Sequence, residues 1–129
     1  METIEGIVIP GNQLGRQLGF PTANIALPAR LIPQALQMEG VWAGVATCQD
    51  ETRWMATISI GRRPTFYGEH GELLLEAFLH DFSGDLYGTT LKISLRRFLR
   101  EQLAFPSPEE LILAMNSDAD RTRQLLVSH

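Results

Sequence analysis

Apolar and polar positions alternate over short stretches along most of this chain, and turn-forming residues separate one stretch from the next. Thr3–Ile9 alternates well enough for a first strand, and a brief extended piece follows Asn24. Gly40–Cys48 carries Val41, Trp42, Val45 and Thr47, side chains that suit a pleated surface. Arg53–Ile60 alternates clearly, and Leu73–Leu79 and Thr89–Phe98 complete about six strands. Gln49-Asp50-Glu51 and Ser83-Gly84-Asp85 fall between strands as turns. Many short strands in succession predict a mainly β protein whose sheet closes into a barrel.

The period changes near the end. Ser107-Pro108-Glu109-Glu110 is a capping box with Pro at the first helical position, and Leu111, Ile112 and Met115 then share one face, which predicts a helix from about Pro108 to Met115. Ser117-Asp118-Ala119-Asp120 offers a second cap, which predicts another helix to near Val127 with Leu125 and Leu126 inward. One or two C-terminal helices would then close the barrel or cover its side. The expected organisation is a single domain over 1–129, with the barrel at about 3–99 and the helical region at about 107–127.

Composition narrows the classes. A chain of 129 residues, 44% hydrophobic and 20% charged, can bury a core without disulfides or a structural metal. Cys48 stands alone as a candidate small core residue, and His70, His80 and His129 show no ligand spacing. A net charge of −4 argues against a nucleic-acid surface. Ten of the eleven basic residues are Arg, so a phosphate or carboxylate would be met locally by a guanidinium fork. No apolar leader and no run of eighteen apolar residues occurs, so a soluble, cytoplasmic protein without a membrane partner is expected.

Candidate chemistry gathers at Gly15-Arg16-Gln17-Leu18-Gly19-Phe20-Pro21-Thr22-Ala23-Asn24. Gly11, Gly15 and Gly19 would let backbone N–H groups approach an anion, although three glycines in nine residues also simply make turns. The usual P-loop pattern is absent, and Arg16 is the only cation in that loop. Thr22 and Asn24, two apart on an extended segment, point to one side and offer two neutral oxygens. Magnesium takes such ligands when nucleotide phosphates bring the negative charge, while the alternative is a turn in which both side chains cap their own backbone. Glu76 interrupts the apolar run Leu73–Leu79 and shares a strand face with Leu74 and Phe78. If that face points into the barrel, desolvation would raise its carboxyl toward the range of a general base; if it points outward, Glu76 is a solvated residue.

With these blocks in place, the sequence resembles the riboflavin kinase (flavokinase) family from about Ile4 to Leu126. Gly15–Asn24 matches the family's signature stretch. Gly40-Val41-Trp42-Ala43, Ile60-Gly61-Arg62-Arg63-Pro64-Thr65-Phe66, Glu76 with Asp81-Phe82, Asp85-Leu86-Tyr87-Gly88, and Leu99-Arg100 leading to Phe105 follow in order. The resemblance implies a closed six-stranded antiparallel Greek-key barrel with a C-terminal helix. It also implies transfer of the γ-phosphoryl group of ATP to the 5′-hydroxyl of riboflavin, giving FMN and ADP. On it, Thr22 and Asn24 would hold Mg²⁺ and phosphate oxygens, Gly11, Gly15 and Arg16 would form the nucleotide loop, and Glu76 would be the catalytic base. Arg100 and Phe105 would contact the flavin; otherwise Arg100 is a surface ion pair with Glu101 or Glu110, and Phe105 a core plug.

Three positions depart from the family pattern: Ser59 where Asn is frequent, Phe78 where His often follows the glutamate, and Gln102 where Glu is usual. Arg16 replaces the Lys of some members. In many bacteria such a domain is the C-terminal half of a bifunctional protein whose other half is an FMN adenylyltransferase, so a fusion of that kind is within the resemblance, although no His-x-Gly-His element occurs in this sequence. Two rival readings are a non-catalytic flavin- or nucleotide-binding barrel with a regulatory role and an oligonucleotide-binding barrel. The trio Thr22, Asn24 and Glu76 weighs against the first, and the charge against the second.

Overall fold

The computed structural model describes residues 2–9, 22–62 and 73–127. Six strands form where alternation places them: β1 (Glu2–Ile9), β2 (Thr22–Ala26), β3 (Gly40–Thr47), β4 (Arg53–Arg62), β5 (Leu73–Leu79) and β6 (Thr90–Arg100). The extended piece expected after Asn24 begins earlier, at Thr22, and takes in Thr22 and Asn24 themselves. All pairs are antiparallel, and the sheet closes in the order β1-β2-β5-β4-β3-β6. β3, β4 and β5 form a meander and β6 returns beside β3, which is a Greek key.

Alternation decides which side chains fill the barrel. Ile4, Ile58, Ile60, Leu75, Ala77, Leu91 and Ile93 point inward and are at most 1% exposed. Each large apolar side chain among them contributes about 1.5–3 kcal/mol through burial. Between β3 and β6 the register slips next to Gly44, where a Cβ would strike the Ser94 carbonyl and come within 2.7 Å of Ile58 Cδ1. Glycine there lets the strands approach and bend around the core.

Two helical elements accompany the barrel. A 3₁₀ turn at Ala29–Leu31 leads into α1 (Ile32–Leu36), whose five residues are too few to show a period in sequence. Trp42 Nε1–H donates to the Met38 carbonyl just after it, at 3.0 Å. The C-terminal region is a single helix, α2 (Pro108–Val127), and not two. Its start follows the capping reading, since Ser107 Oγ accepts the Glu110 N–H at 3.3 Å. The second cap at Ser117–Asp120 does not form, because the Asp118 carboxylate is bound to Arg100 and Ala119 is buried mid-helix. Leu125 and Leu126 do face inward, packing on Val41, Ala43 and Leu99 in a second small core on the outer barrel surface. Among the described residues no helix is long and apolar enough to cross a membrane.

A buried polar chain joins α2 to the sheet. Thr122 donates its hydroxyl to the Asp118 carbonyl (2.9 Å), so Thr57 must donate to Thr122 (2.8 Å), and His80 Nε2–H must in turn donate to Thr57 (2.8 Å). That order fixes the histidine tautomer and leaves Nδ1 buried without a partner. Burial of the ring, and then the positive Arg123 nearby, push the His80 pKa down to about 4. The folded state therefore holds this ring neutral at a pH where the unfolded chain already protonates it. Its contribution to stability is complete above about pH 6.5 and is lost as pH falls toward 4, about 2 kcal/mol of it by pH 5. Denaturant titrations at pH 7.5 and 5.0 should show this loss, and His80→Gln should flatten the dependence over that window. An unchanged slope in the variant would exclude His80 as its source.

Candidate active site

The pairing of β2 with β5 brings together two of the residues singled out in sequence. Asn24 lies directly opposite Glu76, and Thr22 opposite Phe78. Ala23 and Ile25 pack on the barrel interior, so Thr22 and Asn24 project from the outer face, as an extended segment requires. On β5, Leu75, Ala77 and Leu79 face inward, which puts Leu74, Glu76 and Phe78 outside. The route to a raised carboxyl pKa through the barrel interior is therefore corrected: Glu76 is half-buried on the outer wall. Its neighbourhood is a row of cross-strand side chains, with Asn24 on one side and Ser59 of β4 on the other. Facing positions in such a row carry Cβ atoms about 4.5–5.5 Å apart, close enough for side chains to share a ligand.

Asn24 is the most unusual member of this row. It is only 7% exposed, yet its Oδ1 has no hydrogen-bond partner. A buried carbonyl oxygen without a donor costs about 1–3 kcal/mol, which a hydrated or metal-bound ligand would recover. Among the described residues no group of three or more His, Cys, Asp or Glu could hold a metal ion. A cation here would rest on neutral oxygens and on charge brought by a ligand, the arrangement Mg²⁺ adopts with nucleotides.

Beside Thr22 opens a cavity of about 330 Å³, lined by Val8, Thr22, Ala23, Phe82, Leu86 and Tyr87 among others. Its far wall is the connection from β5 to β6, and local bonds hold that wall in place. Asp85 Oδ1 accepts the Tyr87 N–H at 2.9 Å, Gly88 N–H donates to the Val8 carbonyl at 2.9 Å, and Phe82 packs edge-on against Trp54 at 5.1 Å. Size and lining suit one small organic ligand with an aromatic or planar part. Sequence reasoning found the Asp85–Gly88 block but did not see that it forms a wall facing Thr22.

Arg100 and Phe105 also come together, though not as free ligand contacts. The Arg100 guanidinium stands 5.5 Å from the Phe105 ring centre and makes a two-pronged pair with Asp118, at 3.0 Å through Nε and 2.8 Å through Nη2. Its acidic partner is thus Asp118 of α2, where Glu101 or Glu110 was the expected alternative; toward Glu101 it reaches only the backbone carbonyl, at 3.1 Å. With its charge committed to Asp118, Arg100 faces the Phe105 ring as a paired guanidinium and not as an unpaired cation. Gly11, Gly15 and Arg16 lie outside the described residues. Two of the family departures turn out to touch each other, since Gln102 Nε2 donates to Ser59 Oγ at 2.7 Å. Nothing in a linear sequence marks positions 43 residues apart as neighbours.

A family model described as Flavokinase, riboflavin kinase, matches residues 2–126. The chain belongs to the riboflavin kinase family. It is 41% identical over 122 residues to the bifunctional riboflavin kinase/FMN adenylyltransferase of Pseudomonas fluorescens, a match that covers 95% of this chain and 37% of that protein. The chain therefore spans little more than a third of the length of that curated relative. Among solved structures, riboflavin kinase from Trypanosoma brucei superposes with a TM-score of 0.68 at 27% identity, covering 96% of this chain and 78% of that one. A Streptococcus pneumoniae structure titled macrolide-efflux protein superposes with a TM-score of 0.76 at 30% identity, covering 94% of this chain and 38% of that one.

The unpartnered Asn24 oxygen carries a stability consequence. Replacing it with an apolar group of similar shape removes the unsatisfied acceptor, so Asn24→Leu should hold or raise the unligated stability, by about 1 kcal/mol. Thermal melts without ligands test this, and a clear drop would show that the side chain is structurally satisfied.

Proposed function

We propose that this chain is a riboflavin kinase that transfers the γ-phosphoryl group of ATP to the 5′-hydroxyl of riboflavin, giving FMN and ADP. The observation that carries this reading is the register of β2 on β5, which sets the unpartnered Asn24 oxygen opposite the Glu76 carboxylate. Family membership supports the reaction class, and the pairing of β2 with β5 supports the residue roles that follow.

In this reading ATP takes the cavity beside Thr22, with its base toward Phe82 and Tyr87, and its phosphates run past Thr22 toward Asn24 on the same strand. Thr22 Oγ1 and Asn24 Oδ1 would hold Mg²⁺, which would supply positive charge to offset that of the phosphates. Glu76, one strand away from Asn24, orients the riboflavin 5′-hydroxyl and accepts its proton as the oxygen attacks phosphorus. The new bond joins that oxygen to the γ-phosphorus, and the bond broken leaves ADP. Phosphoryl transfer asks little covalent help, so alignment of hydroxyl and phosphate does most of the catalysis. Gly11, Gly15 and Arg16 complete the nucleotide loop in this reading.

The flavin ring lies toward Arg100 and Phe105. Cross-strand pairing links Glu76 to Ser59, Ser59 to Val41 and Val41 to Arg100, three strand steps away. At about 4.8 Å per step that is roughly 14 Å, a span an elongated molecule with a ribityl chain and a fused ring system can bridge. Because Arg100 is held by Asp118, its contact with the ring is by stacking.

Incubation with riboflavin and MgATP should yield FMN by chromatography, and chelating Mg²⁺ should abolish it. Riboflavin binding without product would instead favour a passive flavin-binding barrel. Glu76→Gln keeps shape and hydrogen bonding but cannot take the proton, so kcat should drop at least about 100-fold with nucleotide affinity nearly unchanged. Turnover equal to the parent would remove Glu76 from the mechanism.

A further inference from the structure

Gln102 follows β6 by two residues, and its backbone belongs to the connection 101–107 that leads to α2. The residue is exposed as a whole, yet its amide tip is docked on strand ends. Nε2 donates to Ser59 Oγ at 2.7 Å and to the Ile60 carbonyl at 3.1 Å, and lies 3.5 Å from the Gly40 carbonyl. Carbonyl oxygens only accept, so the amide must present its nitrogen here. Glycine at 61 leaves room for this, since a Cβ there would sit 3.0–3.2 Å from the Gln102 amide and Cγ and crowd the side chain. A side chain that could swing freely is thus held by a made-to-fit seat of two hydrogen bonds and an open backbone.

The seat adjoins the candidate active site. Ser59, which receives the hydrogen bond, is the cross-strand neighbour of Glu76, and Glu76 is the neighbour of Asn24. On the other side, the connection that Gln102 anchors follows Arg100 and includes Phe105, over whose ring the Arg100 guanidinium stands at 5.5 Å. Asp118 fixes Arg100 to α2, but that bond alone does not tie the connection to β4.

We infer that Gln102 is a positioning residue: its amide, seated on Ser59 and the Ile60 carbonyl, latches the 101–107 connection to the strand beside Glu76, and so sets where the flavin ring lies relative to the base. This rests on the riboflavin kinase reading. The latch depends on the donor and not on bulk, because glutamate has the same shape but offers no N–H to two carbonyls. Ser59 and Gln102 are also the two departures from the family pattern that touch. An amide at 59 facing a carboxylate at 102 would bond with the direction reversed, donor on the strand and acceptor on the connection.

Steady-state kinetics on four proteins test this: the parent, Gln102→Ala, Gln102→Glu and the double variant Ser59→Asn/Gln102→Glu. Both single variants should raise KM for riboflavin about 10-fold, lower kcat less than 3-fold, and leave KM for MgATP within 2-fold. General loosening of the fold would instead move both KM values. The double variant should return riboflavin KM to within about 3-fold of the parent. An unchanged riboflavin KM in Gln102→Ala, or a double variant no better than Gln102→Glu, overturns the proposal. If the parent makes no FMN at all, the kinase reading fails first. The latch is then read by amide hydrogen exchange over 101–107, which should quicken at least 5-fold in Gln102→Ala, and unchanged exchange overturns it independently.

Discussion

The pairing of β2 with β5 is the contact on which the rest of this molecule depends. These strands are far apart in sequence, yet residues 22–25 meet residues 75–78 in register, and their meeting closes the barrel. Closure gives every strand two neighbours and lets one continuous apolar interior form. The same register sets Asn24 against Glu76. A slip of β2 by one residue would send Asn24 inward and bring Ile25 out, so core packing and site assembly are enforced by one constraint.

The second frame is the docking of α2 on the outer surface. An apolar patch of Val41, Ala43 and Leu99 takes Leu125 and Leu126, and around it polar groups fix the helix axially. Asp118 holds Arg100, and Thr122 joins Thr57 and His80. Asp118 is 4% exposed and His80 2% exposed, so these bonds form where water does not compete. Their order also explains why His80 stays neutral: its donor side is used and its acceptor side has nowhere to place a proton. Through Asp118 the helix holds Arg100, which stands over the Phe105 ring, at one end of the row that begins with Asn24.

Much of this was legible in the sequence, for identifiable reasons. Strands β3 to β6 announce themselves because alternation over seven or more residues leaves a strong period, and the barrel core follows from it. Thr22 and Asn24 were readable as a same-side pair because any extended segment has that property. What stayed hidden depended on long-range partners. The face of Glu76 could not be assigned from alternation, which says that Leu74, Glu76 and Phe78 share a side and not which side is wet. Ser117–Asp120 looked like a helix start because Asp is a good cap, but Arg100 claims Asp118 from 18 residues away. α1 is a single turn and a half, below the length at which a hydrophobic period is detectable.

A barrel of six strands has an interior filled by its own side chains, so a ligand site must be built on its outer wall or rim. That agrees with the outward face of Glu76: under the proposed reading the acid lies where a substrate could reach it, and its environment comes from neighbours added on the outside. Asn24, Ser59 and the 101–107 connection are those neighbours, and one of them carries an unsatisfied buried oxygen. Stability is given up at Asn24 and not at the core, where Ile58 and Ile60 are fully enclosed. Under the proposed reading, a site that accepts a cation with its phosphates needs an oxygen that the protein itself leaves unpaired, and the closed barrel behind Asn24 keeps such a group in place.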